Sequence, residues 1–255
     1  MKLCIDIGNT HVFGGVFDQT DLRFRFRYPT SQATTSDQFG LFLKGVLREN
    51  QCDPNAIDAI GISSVVPSLD YSIIAACIKY LGITPTQLKP GIKTGLRIEV
   101  KNPVELGADR IANAVAALAQ FPNKHLLILD FGTATTLCAI NKKGAYLGGS
   151  IMPGMKISMQ ALNDNAAKLS PVDILKPTKA LGQTTISNIQ SGLYYGQLGA
   201  LRELITRISQ EAFPDEKPVV LATGGYAHLF AEENLYDVHL QDLVLHGMRL
   251  ILERN

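Results

Sequence analysis

The 255-residue sequence has few cysteines and no apolar run long enough to cross a membrane. Its four cysteines lie singly, without the C-x-x-C spacing of zinc or redox sites, and three of them fall in apolar strand or helix patterns. We therefore expect reduced, buried thiols and a cytoplasmic protein without a membrane partner. Asp6 interrupts the first apolar run, so a secretory signal peptide is not expected.

An excess of charge of either sign is also lacking. The chain has 24 basic and 23 acidic residues, with a net charge of +1. Because nucleic-acid-binding proteins usually carry a basic patch, no nucleic-acid partner is expected. The hydrophobic content of 46% and charged content of 18% are typical of a globular protein with a substantial core.

Several common catalytic motifs are missing as well. No stretch reads G-x-x-x-x-G-K-[ST], and in the nearest one, Gly149 to Gly154, the next residue is Met155. No G-x-S-x-G sequence occurs, and the five histidines do not have the spacing of metal ligands. A P-loop, a serine hydrolase triad and a zinc site are therefore not expected.

One short stretch occurs twice. Asp6-Ile7-Gly8-Asn9-Thr10 follows an apolar run, and Asp130-Phe131-Gly132-Thr133-Ala134 follows another one 124 residues later. In each copy the glycine lets a ligand approach the backbone, and the carboxylate at the strand end can hold the Mg²⁺ that accompanies nucleotide phosphates. A single copy is more typical of an ordinary hairpin turn. Two copies predict two similar halves that face one nucleotide.

The periodicity of the first half predicts three antiparallel strands, a helix capped by Ser36, a strand over 56–66, and a helix that ends at Gly82. An alanine-rich helix then ends near Phe121, before Pro122. We place the domain boundary here, which gives domains of 1–120 and 121–255.

The second half is predicted to restart with a strand that ends at Asp130, followed by strands over 135–140 and 145–147. The glycine-rich residues 148–154 are predicted to leave regular structure, and a helix is predicted over 155–167. A long helix over 184–211 carries Gly192, Gly196 and Gly199 on one face. Because glycine destabilises a helix, this face predicts close approach of another helix or of a ligand. A last strand over 218–222 and a C-terminal helix with Leu240, Val244, Met248 and Ile251 inward complete the chain.

The stretch Gly107-Ala108-Asp109-Arg110 opens the alanine-rich helix. An acidic residue in the first turn complements the helix dipole, whereas a cation there opposes it. Such a locally unfavourable residue is typical of a functional site. Arg110 could bind the carboxylate of a small acidic substrate while Asp109 accepts a proton from its hydroxyl.

Together these stretches resemble the type III pantothenate kinases, members of the acetate and sugar kinase, heat-shock chaperone and actin superfamily. The resemblance covers essentially the whole chain. The shared motifs are Asp6 to Thr10, Ser63-Ser64-Val65-Val66-Pro67, Asn102-Pro103, Gly107 to Arg110, Asp130 to Thr136, Gly148 to Gly154, and Gly182-x-x-Thr185 followed by Gly192.

The resemblance implies an α/β protein with two ribonuclease-H-like (actin-like ATPase) domains. Each domain would be a mixed sheet with helices on its faces, with the nucleotide in the cleft between them. The implied activity is the ATP-dependent phosphorylation of pantothenate to 4′-phosphopantothenate, the first step of coenzyme A biosynthesis. The resemblance also implies a homodimer whose substrate pocket is completed near the subunit interface.

Site residues follow from the same resemblance. Asp109 is implied to be the general base, and the other implied contacts are with ATP, Mg²⁺, a monovalent cation (K⁺ or NH₄⁺) and pantothenate. The ATP contacts are Asp6, Gly8, Asn9, Thr10, His11 and Thr133; the pantothenate contacts are Gly107, Ala108, Asp109, Arg110 and Thr185; the metal ligands are Asp6 for Mg²⁺ and Asp130 for K⁺. One departure is Val100, where many members of the family have a tyrosine.

Three other functions stay open on the sequence. A kinase of the same superfamily could act on a sugar or another small hydroxy acid, because a fold does not fix its substrate. A non-catalytic regulatory accessory protein of the same fold is the second alternative. A ribonuclease-H-like nuclease would need several carboxylates around two metals, and the sequence nominates only Asp6 and Asp130.

Overall fold

The computed structural model describes residues 1–166 and 169–255. By contacts, the chain divides into a first unit of Met1–Leu96, Asn102–Ala116 and Leu243–Asn255, and a second unit of Arg97–Lys101 and Ala117–Asp242. The C-terminal helix thus belongs to the first unit, although it follows the second in sequence. The domain ranges 1–120 and 121–255 stay a prediction.

The described residues form eleven strands and six α-helices. The strands are β1 (Lys2–Ile7), β2 (His11–Asp18), β3 (Asp21–Pro29), β4 (Ala59–Ser64), β5 (Thr86–Gln87), β6 (Arg97–Ile98), β7 (Leu126–Phe131), β8 (Ala134–Ile140), β9 (Ala145–Pro153), β10 (Val219–Thr223) and β11 (Val238–His239). The helices are α1 (Ser36–Glu49), α2 (Pro67–Leu81), α3 (Ala108–Gln120), α4 (Met155–Asn165), α5 (Thr185–Ala212) and α6 (Leu243–Leu252).

The sheet of the first unit has the strand order β3-β2-β1-β4-β5. Strands β1, β2 and β3 are antiparallel neighbours, as predicted, whereas β4 runs parallel to β1 and β5 parallel to β4. The strand predicted over 56–66 is shorter than expected because Pro54–Ala56 form a turn of 3₁₀ helix capped by the Asp53 side chain.

The sheet of the second unit repeats this topology. Its order is β11-β10-β7-β8-β9-β6. Strands β7, β8 and β9 are antiparallel neighbours, β10 is parallel to β7, and β11 is parallel to β10. Apart from β6 at the edge, β9-β8-β7-β10-β11 matches the first sheet in order and direction. The predicted α/β class with two ribonuclease-H-like mixed sheets is confirmed.

Helix ends follow local chemistry. The cap of α1 is Thr35 and not Ser36, because Thr35 forms a capping box with Gln38 three residues later. The predicted end of α2 is confirmed, since Gly82 adopts a left-handed conformation with φ of 72°.

The prediction that residues 148–154 leave regular structure is wrong, because β9 continues to Pro153. Gly148 and Gly149 pair with Ala139 and Cys138 of β8. A Cβ atom at Gly149 would overlap the carbonyl group of Leu137. This glycine therefore allows two strand backbones to approach closely. The helix predicted over 155–167 is α4, which ends at Asn165, and the predicted last residue, Ala167, lies outside the described residues.

Alternation along β1 places its side chains on two different cores. Leu3, Ile5 and Ile7 pack against α1 and α2, whereas Cys4 packs with residues of α3 and α6. Asp6 is on the same face as Cys4, since successive strand residues point to opposite faces. The first unit therefore presents Asp6 on the face of its sheet that α3 covers.

Helix α6 differs partly from its prediction. Met248 and Ile251 are buried as expected, but Leu240 precedes the helix. Leu243 and Leu245 are fully buried, whereas Val244 is only partly buried. All four cysteines are buried, as expected. Among the described residues, no helix combines the length and apolar character that a membrane span requires.

Candidate active site

The first predicted turn connects β1 to β2 and accepts hydrogen bonds from Thr30, the residue that follows β3. The Gly8 N–H donates to the His11 carbonyl at 3.1 Å. The Thr30 hydroxyl donates to the Gly8 carbonyl at 2.6 Å, and the Thr30 N–H donates to the Thr10 carbonyl at 3.1 Å. Asn9 and His11 are exposed. The turn therefore has a fixed backbone with solvent-facing polar side chains.

Asp6 is partly buried at the end of β1. In the parallel β1–β4 ladder it pairs with Ser63, whose hydroxyl donates to Asp6 Oδ1 at 2.8 Å. Ser63 belongs to one of the shared motifs, but that motif does not predict its contact with Asp6. The contact joins residues 57 positions apart, so only strand pairing reveals it.

The start of α3 carries Gly107, Ala108, Asp109 and Arg110 in the first unit. The Arg110 N–H donates to Asp109 Oδ1 at 2.7 Å. A Cβ atom at Gly107 would stand 2.5 Å from this same oxygen and 3.6 Å from Val65 Cγ1. Glycine at this position therefore leaves room for the Asp109 carboxylate against the segment that follows β4.

Burial raises the pKa of the Asp109 carboxyl above its ordinary value. The Arg110 backbone N–H and guanidinium charge act in the opposite direction on this pKa without cancelling the effect of burial. A carboxylate with a raised pKa holds a proton more tightly than an exposed aspartate does. Asp109 is therefore suited to accept a proton from a bound hydroxyl group.

The second predicted turn lies between β7 and β8. Asp130 pairs with Thr136 of β8 and with Thr223 of β10, so the three side chains form a row on one face of the sheet. The Thr136 Oγ1 atom is buried and has no hydrogen-bond partner among the residues that the structure describes. A Cβ atom at Gly224 would stand 2.6 Å from Asp130 Oδ1.

This donor set fits a hard cation, because a carboxylate and hydroxyl groups are oxygen ligands. A buried hydroxyl without a partner is uncommon and needs an explanation such as a bound ion. Among the described residues no group of three or more histidine, cysteine, aspartate or glutamate side chains is placed to hold a metal.

Thr133 follows Gly132 in the second turn, and Gly154 supports its backbone. The Gly154 N–H donates to the Thr133 carbonyl at 3.2 Å, and a Cβ atom at Gly154 would stand 2.6 Å from the Gly132 carbonyl oxygen. Gly154 therefore allows close packing against the Thr133 turn and donates a hydrogen bond to it. The sequence motif did not predict this contact.

Thr185 is the first residue of α5 and belongs to the second unit, whereas Gly107 to Arg110 belong to the first. It lines a groove of about 640 Å³ between α4 and α5. The other lining residues are Ser158, Leu162, Leu169, Asn188, Ile189, Gly192 and Leu193. Cβ atoms at Gly192, Gly196 and Gly199 would meet nothing within 4 Å, so the described part of this chain supplies no close approach to that face.

Comparison with known proteins identifies the family. A model described as type III pantothenate kinase matches residues 2–207. A protein named type III pantothenate kinase 1, from Francisella tularensis subsp. holarctica (strain OSU18), is 54% identical and covers 100% of both chains. The type III pantothenate kinase of Legionella pneumophila (strain Corby) is 56% identical over 100% of this chain and 99% of its own.

A solved structure of a Baf family protein from Campylobacter jejuni resembles this chain with a TM-score of 0.61, at 19% identity over 98% of this chain and 97% of its own. At that identity the likeness shows the fold alone. The family model, the two relatives and the repeated sheet topology agree, and the chain belongs to the type III pantothenate kinase family.

Proposed function

We propose that this protein transfers the γ-phosphoryl group of ATP to the primary hydroxyl of pantothenate, which yields 4′-phosphopantothenate for coenzyme A biosynthesis. Membership of a kinase family implies the use of ATP. The observation that carries the proposal is the Gly107–Arg110 turn, where a partly buried aspartate with a raised pKa lies beside an arginine.

Asp109 acts as the general base in this proposal. As the pantothenate hydroxyl oxygen forms a bond to the γ-phosphorus, its proton passes to the Asp109 carboxylate. The bond from the γ-phosphorus to the bridging oxygen breaks, and ADP leaves with that electron pair. Arg110 binds the pantothenate carboxylate through a charge-assisted hydrogen bond, with Gly107 and Ala108 beside it. Thr185 is the pantothenate contact proposed from the second unit.

The nucleotide contacts divide between the two turns. Asp6, Gly8, Asn9, Thr10 and His11 bind the phosphates, and Thr133 contacts ATP. Asp6 would hold Mg²⁺. Asp130 would hold K⁺ or NH₄⁺ together with the Thr136 hydroxyl, which has no hydrogen-bond partner within the described residues. When bound, these cations neutralise charge on the phosphate groups. We further propose a cytoplasmic homodimer that uses the glycine face of α5.

The first experiment is an ADP-release assay with ATP, Mg²⁺ and K⁺, run with pantothenate and with a panel of sugars and short hydroxy acids. Turnover only with pantothenate, falling sharply when Na⁺ replaces K⁺, would support both the substrate and the cation site. The Asp109→Asn variant should bind ATP normally and turn over at least about 100-fold more slowly.

The other outcomes separate the competing functions. Turnover only with a different acceptor would keep the kinase assignment and replace the substrate. If no acceptor gave turnover in protein that still binds ATP, a regulatory function would be favoured. Full activity of Asp109→Asn would remove Asp109 from the role of base.

A further inference from the structure

The Ser63 hydroxyl lies beside the Asp6 carboxylate inside the first unit. Ser63 has 0% of its surface exposed, and its hydroxyl donates to Asp6 Oδ1 at 2.8 Å. We propose that Ser63 is a positioning residue that holds the Asp6 carboxylate in the orientation needed for the Mg²⁺ of bound ATP. This inference rests on the proposed function, in which Asp6 is the magnesium ligand.

Strand pairing fixes the geometry of this contact. Asp6 and Ser63 are direct partners in the parallel β1–β4 ladder, so their side chains project from the same face. Buried hydroxyl groups usually donate their hydrogen to an acceptor, and a carboxylate is a strong one. The Asp6 carboxylate is therefore restricted in rotation before any ligand binds. Ligand-orienting contacts of this kind are worth about 10- to 100-fold in metal affinity or activity.

The segment that follows Ser63 also lies close to Gly107, two residues before the proposed base. The Val65 N–H donates to the Ile7 carbonyl at 3.0 Å, which continues the β1–β4 pairing beyond the end of β4. Val65 Cγ1 lies near Gly107, at 3.6 Å from where a Cβ atom would be. Residues 63–65 thus run from the Asp6 strand to the neighbourhood of Gly107 within one unit, and Ser63 itself is hydrogen-bonded to Asp6.

Ser64 provides a matched control on the same strand. Its hydroxyl donates to Asp70 Oδ1 at 2.6 Å and accepts from the Val66 N–H at 3.2 Å, both at the start of α2. Ser64 therefore makes the same kind of serine–carboxylate contact, but it supports a helix end and not Asp6. Loss of this hydroxyl should affect stability and leave metal-dependent binding unchanged.

The test compares Ser63→Ala and Ser64→Ala in the full chain by calorimetric titration of ATP, once with Mg²⁺ and once with EDTA. For Ser63→Ala we expect affinity for ATP with Mg²⁺ to fall by about tenfold or more, with unchanged affinity in EDTA. Ser64→Ala should match the wild type in both titrations. If Ser63→Ala does not fold, Ser63→Cys, which is similar in size and a weaker donor, takes its place.

A double-mutant cycle with Asp6→Asn completes the test. If Ser63 acts through the Asp6 carboxylate, Ser63→Ala should have no further effect on magnesium-dependent affinity in the Asp6→Asn background. Additive effects, or a Ser63→Ala affinity within twofold of the wild type, would overturn the inference while leaving the kinase proposal intact. Wild-type protein whose ATP affinity does not depend on Mg²⁺ would overturn the inference together with the role of Asp6 as magnesium ligand, whereas turnover with pantothenate tests the kinase proposal separately.

Discussion

Replacing Gly224 by alanine should disturb the Asp130 site and destabilise the second unit. Gly224 has φ of 89°, a conformation that costs a residue with a Cβ atom about 1–2 kcal/mol. The new Cβ atom would also stand 2.6 Å from Asp130 Oδ1 and 2.6 Å from the Phe131 N and C atoms. The Phe131 backbone is part of β7 and cannot move away easily. Overpacking of this kind costs about 1–3 kcal/mol.

The two effects together amount to about 2–5 kcal/mol. With a urea dependence of about 2–3 kcal/mol per molar, the unfolding midpoint should fall by about 0.7–2.5 M. The Asp130 carboxylate must also shift to make room, so the K⁺ concentration that gives half-maximal activation should rise. Urea titration and a K⁺ titration of turnover measure the two effects.

Gly225 supplies the matched control for stability. A Cβ atom at Gly225 would meet nothing within 4 Å, and its φ is not in the left-handed range. Gly225→Ala should therefore change the free energy of unfolding by less than about 0.5 kcal/mol. If Gly224→Ala were as stable as Gly225→Ala, the steric argument at Asp130 would be refuted.

Two further predictions concern single side chains. Because the pKa of Asp109 is higher in the folded protein, its folded form binds a proton more tightly, and wild-type stability should fall as pH rises through that folded pKa. Asp109→Asn should remove this fall, so in urea titrations at pH 8 the variant should be at least as stable as the wild type, although it should be nearly inactive. A variant clearly less stable than the wild type at pH 8 would contradict the predicted direction of the pH dependence. Thr136→Val removes a buried hydroxyl that has no partner, so folding should be unimpaired while half-maximal K⁺ activation moves to higher concentration. An unchanged K⁺ dependence would remove Thr136 from the cation site.

Local patterns predicted much of this fold. Alternation, helical spacing and capping predicted the antiparallel strands β1 to β3, the end of α2 at Gly82 and the long α5. These patterns are properties of neighbouring residues. The repeated Asp-x-Gly turn predicted two similar halves, and the two sheets have the same strand order apart from β6. Such features are readable because their causes lie within a few residues.

The features that were missed depend on pairing between distant segments. Gly148 and Gly149 are typical loop residues in sequence. They lie in a strand because they pair with the backbone of β8, which approaches closely at Gly149. Nothing local to Ser63 shows that Asp6 will be its partner. The return of α6 to the first unit likewise depends on packing against β1 and β4, which sequence periodicity does not report.

The repeated topology also gives the two aspartates of the proposed cation sites different neighbours. On the parallel neighbouring strand, Asp6 pairs with Ser63 and Asp130 pairs with Thr223, so a hydroxyl residue lies at the same register in both sheets. On the antiparallel side, Asp6 pairs with Phe13 whereas Asp130 pairs with Thr136.

On its two neighbouring strands, Asp6 therefore pairs with one hydroxyl residue and one phenylalanine. This would fit Mg²⁺, an ion that keeps several waters and binds through one or two carboxylates and substrate phosphates. Asp130 pairs with hydroxyl residues on both neighbouring strands. This would fit a cation that takes more of its oxygen ligands from the protein than Mg²⁺ does. We therefore propose that one fold provides two cation sites, and that the residue opposite each aspartate on its antiparallel neighbour sets the difference between them.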